Sequence, residues 1–462
     1  MHSVVLNEEN KVGLAMDSSL PDDVTTIYGH REKIAELIRS AMIQSGLGKK
    51  NPDAPLLDII SPGMTVLLKP NWVLHENEGG QGMECLITHR EFILSALQEV
   101  VKPRPKRIMI GDAPIQGCQW DRIITSDFIQ DVQNCCAGIP VDIVDFRRTI
   151  LQSGTLWDGM ETEAREETRF IRFDLGPDSL LESISGWPGR FRVTMYDPRK
   201  MMETHRPGKH QYLLCREAFE ADVILNMPKL KTHRKAGLTG ALKNLVGLNG
   251  SKDFLPHHRV GGTLWGGDCY QGMAPIKRIA EFFLDYANKH IGSRTSQVWY
   301  ERAYRILRWQ RKFGDPEMEG GWYGNDTVWR MVLDLNRILL YGKIDGVMAD
   351  VPQRRIWSLT DAVVCGQGEG PLAPKPLIMK AVTFSDSSPS ADAVHAALFR
   401  FDRNKIPLVR EAFGSFRWPL NRKKEVVLSF WGKRLAVDNI AALPGMRAEP
   451  PRGWAGHCEW ET

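Results

Sequence analysis

The sequence predicts an α/β protein: a mostly parallel sheet flanked by helices, with an antiparallel β insertion and a helical segment. Strand-like and helical patterns alternate along the first third of the chain, which is typical of right-handed βαβ units. The strand-like runs are residues 64–73, 107–114 and 141–146, and the helical runs are 30–46, 89–101 and 121–137. Several strand-like runs end in polar residues, as expected where parallel strands reach a ligand site.

The pattern changes after residue 150. Stretches 168–175, 189–197 and 211–219 predict antiparallel strands. Helical patterns follow at 276–290, 297–313 and 327–341, then strands or apolar runs at 356–371, 376–386 and 425–431 and a helix at 389–399. We therefore divide the chain into an N-terminal α/β half (1–149), an antiparallel β insertion (150–215), an anion-site segment with helices (216–345), a C-terminal α/β part (346–440) and an irregular tail (441–462).

One basic, aromatic stretch, residues 298–313, has two other interpretations: it could stack on nucleic-acid bases or lie on a membrane surface. Its apolar residues follow helical spacing, which favours a core-facing helix with a solvated basic face. These residues are Val298, Ala303, Ile306, Leu307 and Trp309.

Composition excludes several classes of function. The formal net charge of +4 over 462 residues is too weak to indicate binding of nucleic acid or of an acidic membrane. The chain has no apolar run of about 18 residues, so we expect no membrane span, and its N-terminus lacks the pattern of a secretion signal. The eight cysteines are scattered without a CxxC pair, which favours a cytoplasmic protein with buried thiols and no iron–sulfur cluster.

Residues 222–250 are the most informative segment. A strand-like run stops at Asn226 and Pro228, and a basic loop with Lys229, Lys231, His233 and Arg234 follows. Two glycines then precede a helical pattern that carries Lys243 and Asn244. A strand, a basic loop and a helix start in this order are typical of anion sites, because free backbone N–H groups and the helix dipole attract negative charge.

Three other strand-like runs also end in short polar turns, and these turns, together with the one after Asn226, are called the four polar corners. The three other corners contain Lys69 and Asn71, then Asp112, then Glu369 within the glycine-rich stretch 366–371. Because ligands bind at the carboxyl ends of parallel strands, we expect the four corners to line one site. No helical pattern follows residues 366–371, and the stretch 370–376 is predicted to be a loop, so a nicotinamide-binding Rossmann site is rejected.

The residue types suggest roles within this site. We assign catalysis to His233, Lys243, Asp112 and Glu369, anion binding to Lys69, Asn71, Lys229, Lys231 and Asn244, and metal binding to His257 or His258. An imidazole can carry a proton near neutral pH, and a half-buried lysine can hold an anion or form a covalent bond. A solvated Lys243 and a locally bonded loop histidine remain alternatives.

Capping roles are expected elsewhere. Asp361 and Asp392 are candidate caps or supporting groups, and Ser388 or Ser390 is expected to cap the helix at 389–399.

Together these segments resemble the DUF362 family of uncharacterised proteins. The matching pieces are VLLKPNWV, IMIGDAP, ADVILNMPKLKTHRKAGLTGALKNLVGLNG, TDAVVCGQGEGP and SPSADAVHAALF, in the family's order. The CxxC-rich ferredoxin segments of many family members are missing, so their iron–sulfur role does not transfer. The stretch from His233 to Gly250 also resembles the lactate racemase (LarA-like) superfamily. That resemblance implies Lys243 as anchor of a nickel-pincer nucleotide, His233 as proton carrier, and His257 or His258 as metal ligand.

We therefore predict an enzyme that acts by proton transfer on a small anionic substrate, a hydroxy or carboxylic acid, in the manner of a racemase or isomerase. A metal or a nickel-pincer-type nucleotide is left open as cofactor. A non-catalytic anion- or nucleotide-binding protein is the alternative, and a redox accessory protein is the third. The expected partner is a small anionic molecule, with no nucleic acid and no membrane span, and the oligomeric state is not predicted.

Overall fold

The computed structural model describes residues 9–151, 161–310, 312, 317–421, 423–439 and 443–461. Its strands are, in chain order, β1 (Lys11–Met16), β2 (Thr65–Pro70), β3 (Arg107–Asp112), β4 (Val141–Asp145), β5 (Thr149–Leu151), β6 (Glu161–Glu163), β7 (Phe170–Asp174), β8 (Phe191–Arg192), β9 (His205–Arg206), β10 (Lys209–Cys215), β11 (Val223–Met227), β12 (Lys229–His233), β13 (Gly237–Thr239), β14 (His258–Arg259), β15 (Arg355–Glu369), β16 (Ala373–Ser385), β17 (Val427–Phe430) and β18 (Lys433–Ala436). Its α-helices are α1 (Arg31–Ser45), α2 (Arg90–Val100), α3 (Ser126–Cys136), α4 (Pro198–Thr204), α5 (Glu217–Glu220), α6 (Ala241–Asn244), α7 (Pro275–Asn288), α8 (Arg294–Gln310), α9 (Val328–Tyr341), α10 (Ser388–Leu398) and α11 (Pro407–Glu411).

Eleven strands within the described residues form one mixed sheet. Its order is β18-β17-β1-β16-β15-β11-β2-β3-β4, and β12 and β13 extend it beside the far half of β15. Strands β15, β11, β2, β3 and β4 run parallel, whereas β16 is antiparallel to both β15 and β1. Helices α1, α2 and α3 share one apolar core with the sheet, and α9 and α10 share another. The predicted fold class is therefore confirmed.

The alternating elements of the first third lie within a few residues of their predicted positions. Strand β1, by contrast, was not predicted, although it pairs with β16 and β17 inside the sheet. Its Gly13 allows the helix to approach closely, since a Cβ there would lie 2.1 Å from the carbonyl oxygen of Ala41 in α1. Strand β1 is therefore specified by partners from the far end of the chain rather than by a local signal.

The prediction of a basic loop after Pro228 is wrong, because Lys229–His233 forms strand β12. Proline has no N–H group and interrupts the ladder of β11. Strand β15 continues past this break and pairs with Lys229 and Lys231, so the chain stays extended. A long neighbouring strand has overridden the local turn signal.

The predicted loop 370–376 is correct only for residues 370–372, which form the turn of a long hairpin, because residues 373–376 belong to β16 and pair with β15. The predicted strand 189–197 is reduced to β8, and helix α4 follows. The cap of α10 is Ser387, not Ser388 or Ser390, and its side chain accepts the N–H of Ser390.

Helix α8 is less buried than its spacing suggested. Val298 and Trp309, expected in the core, are exposed, and Arg311 and Phe313 of the predicted helix lie outside the described residues. Across the described part of the chain, no helix is both long and apolar enough to cross a bilayer.

Candidate functional site

The carboxyl ends of β2, β3 and β11 meet at one edge of the sheet and place Lys69, Asp112 and Asn226 side by side. Lys69 is the register partner of Asn226, and its ammonium lies 2.6 Å from Asp112 Oδ1. The same ammonium donates to the carbonyl of Pro70 at 2.8 Å and to Asn244 Oδ1 at 3.1 Å. Lys69 is thus buried with a full set of acceptors, which suits a supporting role better than capture of a ligand.

The carboxylate of Asp112 is equally engaged. Its Oδ2 accepts the N–H of Trp72 at 2.6 Å, and its Oδ1 accepts its neighbour Ala113's N–H at 2.8 Å as well as the Lys69 ammonium. Gly247 lies against this pair, since a Cβ there would be 1.9 Å from Asp112 Oδ1 and 2.5 Å from Lys69 Nζ. The pair therefore joins two strands to the turn that follows α6.

Asn244 connects the same strand ends through its amide. Its Oδ1 accepts from Asn71 at 3.0 Å, and its Nδ2 donates to Asn226 Oδ1 at 2.7 Å and to the carbonyl of Lys69 at 3.1 Å. The predicted anion-binding residues Asn71 and Asn244 are therefore brought together, and Asn244 is saturated by protein partners.

A cavity of about 640 Å³ opens beside this edge, and all four predicted corners contribute to it. Of the predicted site residues, it is lined by Lys69, Asn71, Asp112, Lys231, His233, Lys243, Asn244, His257 and Glu369. Further lysines, Lys235 and Lys252, add to its positive charge. Strand periodicity explains part of the lining, because Lys231 and His233 are two residues apart on β12 and so lie on the same face of the strand.

Three lysines of the cavity have strongly lowered pKa values. Burial is the main cause in each case, and it lowers the pKa of Lys231 and of Lys243 to about 7 and that of Lys252 to about 8. Lys231 donates to the carbonyl of Leu86, and Lys252 to that of Ala113 at 3.2 Å. Lys243 differs from both, because its ammonium has no hydrogen bond or ion pair among the described residues.

His233 is oriented by its own turn. Its Nδ1 accepts the backbone N–H groups of Lys235 at 3.0 Å and Ala236 at 3.2 Å, so the ring proton resides on Nε2. Burial, followed by the charges of Lys243 and His257, holds the pKa of His233 well below its usual range. A neutral ring of this tautomer donates a hydrogen bond and has no lone pair left to accept a proton.

His257 has the opposite tautomer. Its Nδ1 lies 2.7 Å from the carbonyl of Leu255 and must donate to it, which leaves a lone pair on Nε2. Burial and the charge of Lys243 hold the pKa of this ring well below its usual range. His258 points elsewhere: it lies outside the cavity lining, with Nδ1 3.4 Å from Lys235 Nζ. Of the two histidines, only His257 faces the site.

Buried polar atoms without partners also line the cavity. They are Asn71 Oδ1, Gln116 Nε2 and Thr239 Oγ1, and each side chain is at most 9% exposed. An orphaned buried polar atom costs roughly 1–3 kcal/mol, so such atoms mark the place of a polar ligand or of bound water.

Two predicted site residues have other partners. Lys229 lies outside the cavity lining, and its ammonium is 2.5 Å from Asp361 Oδ2 and 2.7 Å from the hydroxyl of Tyr28. Glu369 reaches the cavity wall, but its carboxylate lies 3.3 Å from Arg234 and accepts the N–H of Arg452 at 2.8 Å. Both are held in ion pairs rather than left open to a ligand.

Part of the chain that contributes to the cavity matches a known protein family. Residues 188–397 match DUF362, described as a domain of unknown function. The match includes His233, Lys243 and His257 but not the corners at Lys69 and Asp112. The DUF362 part of the predicted resemblance is thereby supported.

Two individual proteins are also similar to this chain. The thylakoid-associated protein sll1697 of Synechocystis sp. is 24% identical over 190 residues, which are 41% of this chain and 40% of that protein. A crystal structure of a protein from Thermotoga maritima aligns with 76% of this chain and 54% of that chain, at 11% identity and a TM-score of 0.27. The chain thus spans well under two thirds of the length of either protein, and the structural likeness is too weak to carry an argument.

The DUF362 segment supplies helix α6, which is positioned by a buried carboxylate. Asp392 accepts the N–H of Ala241 on Oδ1 and that of Leu242 on Oδ2, at 2.6 and 3.0 Å, and so caps the helix that carries Lys243. His395 Nδ1 holds the same carboxylate at 2.9 Å. The expected capping role of Asp392 is confirmed, although the helix it caps is α6 rather than its own.

A metal ion held by protein side chains alone does not fit. Within the described ranges, no three His, Cys, Asp or Glu side chains converge as ligands. The eight cysteines are free thiols, all buried except the half-buried Cys135. Burial raises the pKa of each thiol, that of Cys118 to about 12.

Sequence reasoning missed Gln116, Thr239, Lys235 and Lys252 as cavity residues. Gln116 follows the Asp112 corner by four residues, and the other three lie within or just after the segment 222–250. Their positions next to recognised corners were a usable signal, but which of these side chains turn inward depends on packing between distant segments.

Proposed function

We propose that the protein is an enzyme that binds a small hydroxy or carboxylic acid in the cavity and transfers a proton at the carbon next to the carboxylate. The observation that carries the proposal is the ammonium of Lys243, in a cavity shared with the Nε2 of His257. Neither atom has a hydrogen-bond partner in the part of the chain that the structure describes. Burial lowers the pKa of Lys243 to about 7, which suits proton transfer near neutral pH. The neutral ring of His257 keeps a lone pair on Nε2, because its hydrogen bond to the carbonyl of Leu255 uses Nδ1.

The cavity supports binding of an anion. Lys231 and Lys252 each make one hydrogen bond to a carbonyl, which leaves further protons of each ammonium to hold a carboxylate. The Nε2–H of His233 supplies one more donor. Charge-assisted hydrogen bonds of this kind are worth roughly 1.5–3 kcal/mol each, and they strengthen as charge builds on the substrate oxygens.

The tautomers support a division of roles that differs from the sequence-based one. The lone pair of His257 accepts the proton, the C–H electron pair passes into an enediolate, and the lysines stabilise the oxygen charge. The ammonium of Lys243 then gives a proton to the same carbon, and the centre is inverted when the two groups act from opposite faces of the substrate. Asp112 and Glu369 are engaged in ion pairs, and His233 serves as a hydrogen-bond donor.

A cofactor-dependent version remains a second route. The LarA-like resemblance assigns Lys243 as an anchor and His257 as a metal ligand, and both line the cavity with the required amine and imidazole. A nickel-pincer nucleotide would supply a hydride acceptor in that case. Intact mass and metal analysis of the purified protein separates the routes, because an adduct on Lys243 with stoichiometric nickel supports this version and an unmodified, metal-free protein excludes it.

The direct test uses exchange in heavy water. Short 2-hydroxy and carboxylic acids are incubated with the purified protein, and deuterium entering at the carbon beside the carboxylate is followed by NMR. We expect exchange with the wild type, a loss of at least about 100-fold in Lys243→Met and His257→Gln, and no loss in the exposed controls Lys343→Met and His290→Gln. Absence of exchange with every acid, in a protein whose melting temperature none of them shifts, would overturn the proposal.

A non-catalytic anion- or nucleotide-binding protein is the second candidate. It is favoured by the orphaned polar atoms of Asn71, Gln116 and Thr239, which call for a polar ligand whatever the chemistry. Binding without exchange in the same experiment would select it. A third role, as a redox accessory protein, has little support, because the thiols are buried and their pKa values are raised.

We place this function in the cytoplasm, on the basis of the free thiols. The name of the Synechocystis relative associates that protein with thylakoids.

A further inference from the structure

The helical hairpin of α7 and α8 presents an apolar face to solvent. On α7, Ile279 and Phe282 are 51% and 61% exposed, and they lie three residues apart on one side of the helix. Tyr286 continues the same stripe and contacts Trp299 of α8 with ring centroids 4.9 Å apart. A helix that packs only against its own domain normally turns such residues inward.

Exposed apolar side chains continue beside the first turn of α7. Met273, 57% exposed, precedes the helix by two residues, and Leu264, 73% exposed, donates its backbone N–H to Gly272. Trp187, also 73% exposed, lies under the guanidinium of Arg190, which in turn donates to the carbonyl of Trp265. These residues, with Ile279 and Phe282, lie on or beside the N-terminal half of α7, and this surface is called the hairpin tip below.

Positive charge accompanies this apolar surface. Helix α8 carries four arginines and one glutamate over its length, and Arg294, Arg302, Arg305 and Arg308 are all exposed. The whole chain has a net charge of only +4, so this helix is locally enriched in cations. An apolar stripe beside arginines is the pattern of helices that lie in the interface of an anionic bilayer.

We propose that the hairpin tip and α8 dock the protein on an anionic membrane surface. The protruding Ile279, Leu264 and Met273 are aliphatic, which suits insertion between lipid headgroups. Trp187 adds the residue type that prefers the membrane–water boundary, and the arginines face the phosphates. The proposal is independent of the chemistry in the cavity, because none of the tip residues lines it.

Co-sedimentation with vesicles tests the docking. The wild type should bind vesicles of phosphatidylcholine with added phosphatidylglycerol, bind weakly to phosphatidylcholine alone, and be released by high salt. Each of Arg305→Gln and Arg308→Gln should lower the partition about fivefold, and Phe282→Ser about tenfold. These side chains are exposed, so circular dichroism and melting temperature should not change.

Matched controls lie elsewhere on the surface. Val351→Ser removes an exposed aliphatic side chain, 59% exposed, and Arg434→Gln an exposed arginine, and neither should alter binding. Failure of the wild type to bind anionic vesicles at low salt, or binding that the tip variants leave unchanged, would overturn the proposal. Light scattering supplies the remaining outcome: a dimer that Phe282→Ser converts to a monomer would show that the face pairs with a second copy instead.

Discussion

Replacing Lys243 by glutamine separates a binding role from a structural one, because the two roles predict opposite changes in stability. Burial, followed by the charges of Lys252 and Lys235, lowers the pKa of Lys243 from 10.5 to about 7. That displacement corresponds to ~5 kcal/mol against the charged form in the folded protein. Removing the charge should therefore raise the free energy of unfolding. The expected gain is only on the order of 1–3 kcal/mol, because the substitution also loses some side-chain packing.

The stability gained by Lys243→Gln should decrease as the pH rises. Below about pH 7 the lysine is charged in both the folded and the unfolded chain, so the wild type carries the whole cost. Between a pH of about 7 and 10.5 the folded lysine has lost its proton while the unfolded one keeps it, so the cost falls as the pH rises. Urea denaturation should therefore show a larger gain for Lys243→Gln at about pH 6 than at about pH 9.

The same substitution at Lys229 is the matched control. Lys229 is buried against Asp361 at 2.5 Å, so Lys229→Gln leaves an uncompensated carboxylate and should lose about 3–5 kcal/mol. Anion binding should weaken about 10- to 100-fold in Lys243→Gln, as expected for the loss of one charged hydrogen-bond donor. A Lys243→Gln protein that is destabilised like Lys229→Gln and binds anions normally would refute the assignment of Lys243 to the site.

Three further predictions concern the same edge of the sheet. Anion affinity should fall as the pH rises above about 7, by up to tenfold per pH unit for each lysine such as Lys231 that loses its proton, as titration calorimetry would show. Gly247→Ala should cost about 1–3 kcal/mol in urea denaturation because its Cβ would overlap the Lys69–Asp112 pair, whereas Gly186→Ala, with open space around it, should be neutral. Asp392→Asn should cost about 1–2 kcal/mol and weaken anion binding, and unchanged affinity would show that its cap does not position Lys243.

The sheet's framework was predictable because its signals are local. The strands and helices between residues 30 and 146 have clear periodicity and closing turn residues, and the structure has them close to the expected positions. Strands β1 and β12 could not be found in this way. The first is short and paired with residues some 370 positions away, such as Val12 with Ser385, and the second follows a proline and is extended by β15. The extended conformation of both strands is therefore determined by the strands that pair with them rather than by their own sequences.

The meeting of the predicted polar residues at one cavity was predictable for a similar reason. Parallel strands bring their carboxyl ends to one edge, so polar residues after β2, β3 and β11 had to be neighbours. The roles were not predictable, because they depend on hydrogen-bond partners far along the chain. The ammonium of Lys229 is paired with the carboxylate of Asp361, which lies 132 residues further along the chain, and the sequence around residue 229 does not indicate this partner. The tautomers of His233 and His257 likewise follow from single backbone contacts.

The number of partners separates the lysines of this edge into two groups. Lys69 and Lys229 each have three acceptors, so their charges hold strands together whether or not a ligand is bound. Lys243 has none among the described residues, although it lies half-buried on a helix that Asp392 holds in place. An uncompensated charge in such a position costs stability that a neutral side chain would not. The fold retains that cost at the same cavity where Gln116 Nε2 and Thr239 Oγ1, which can both donate hydrogen bonds, lack partners among the described residues. The proposed anion would relieve both the charge and these donors.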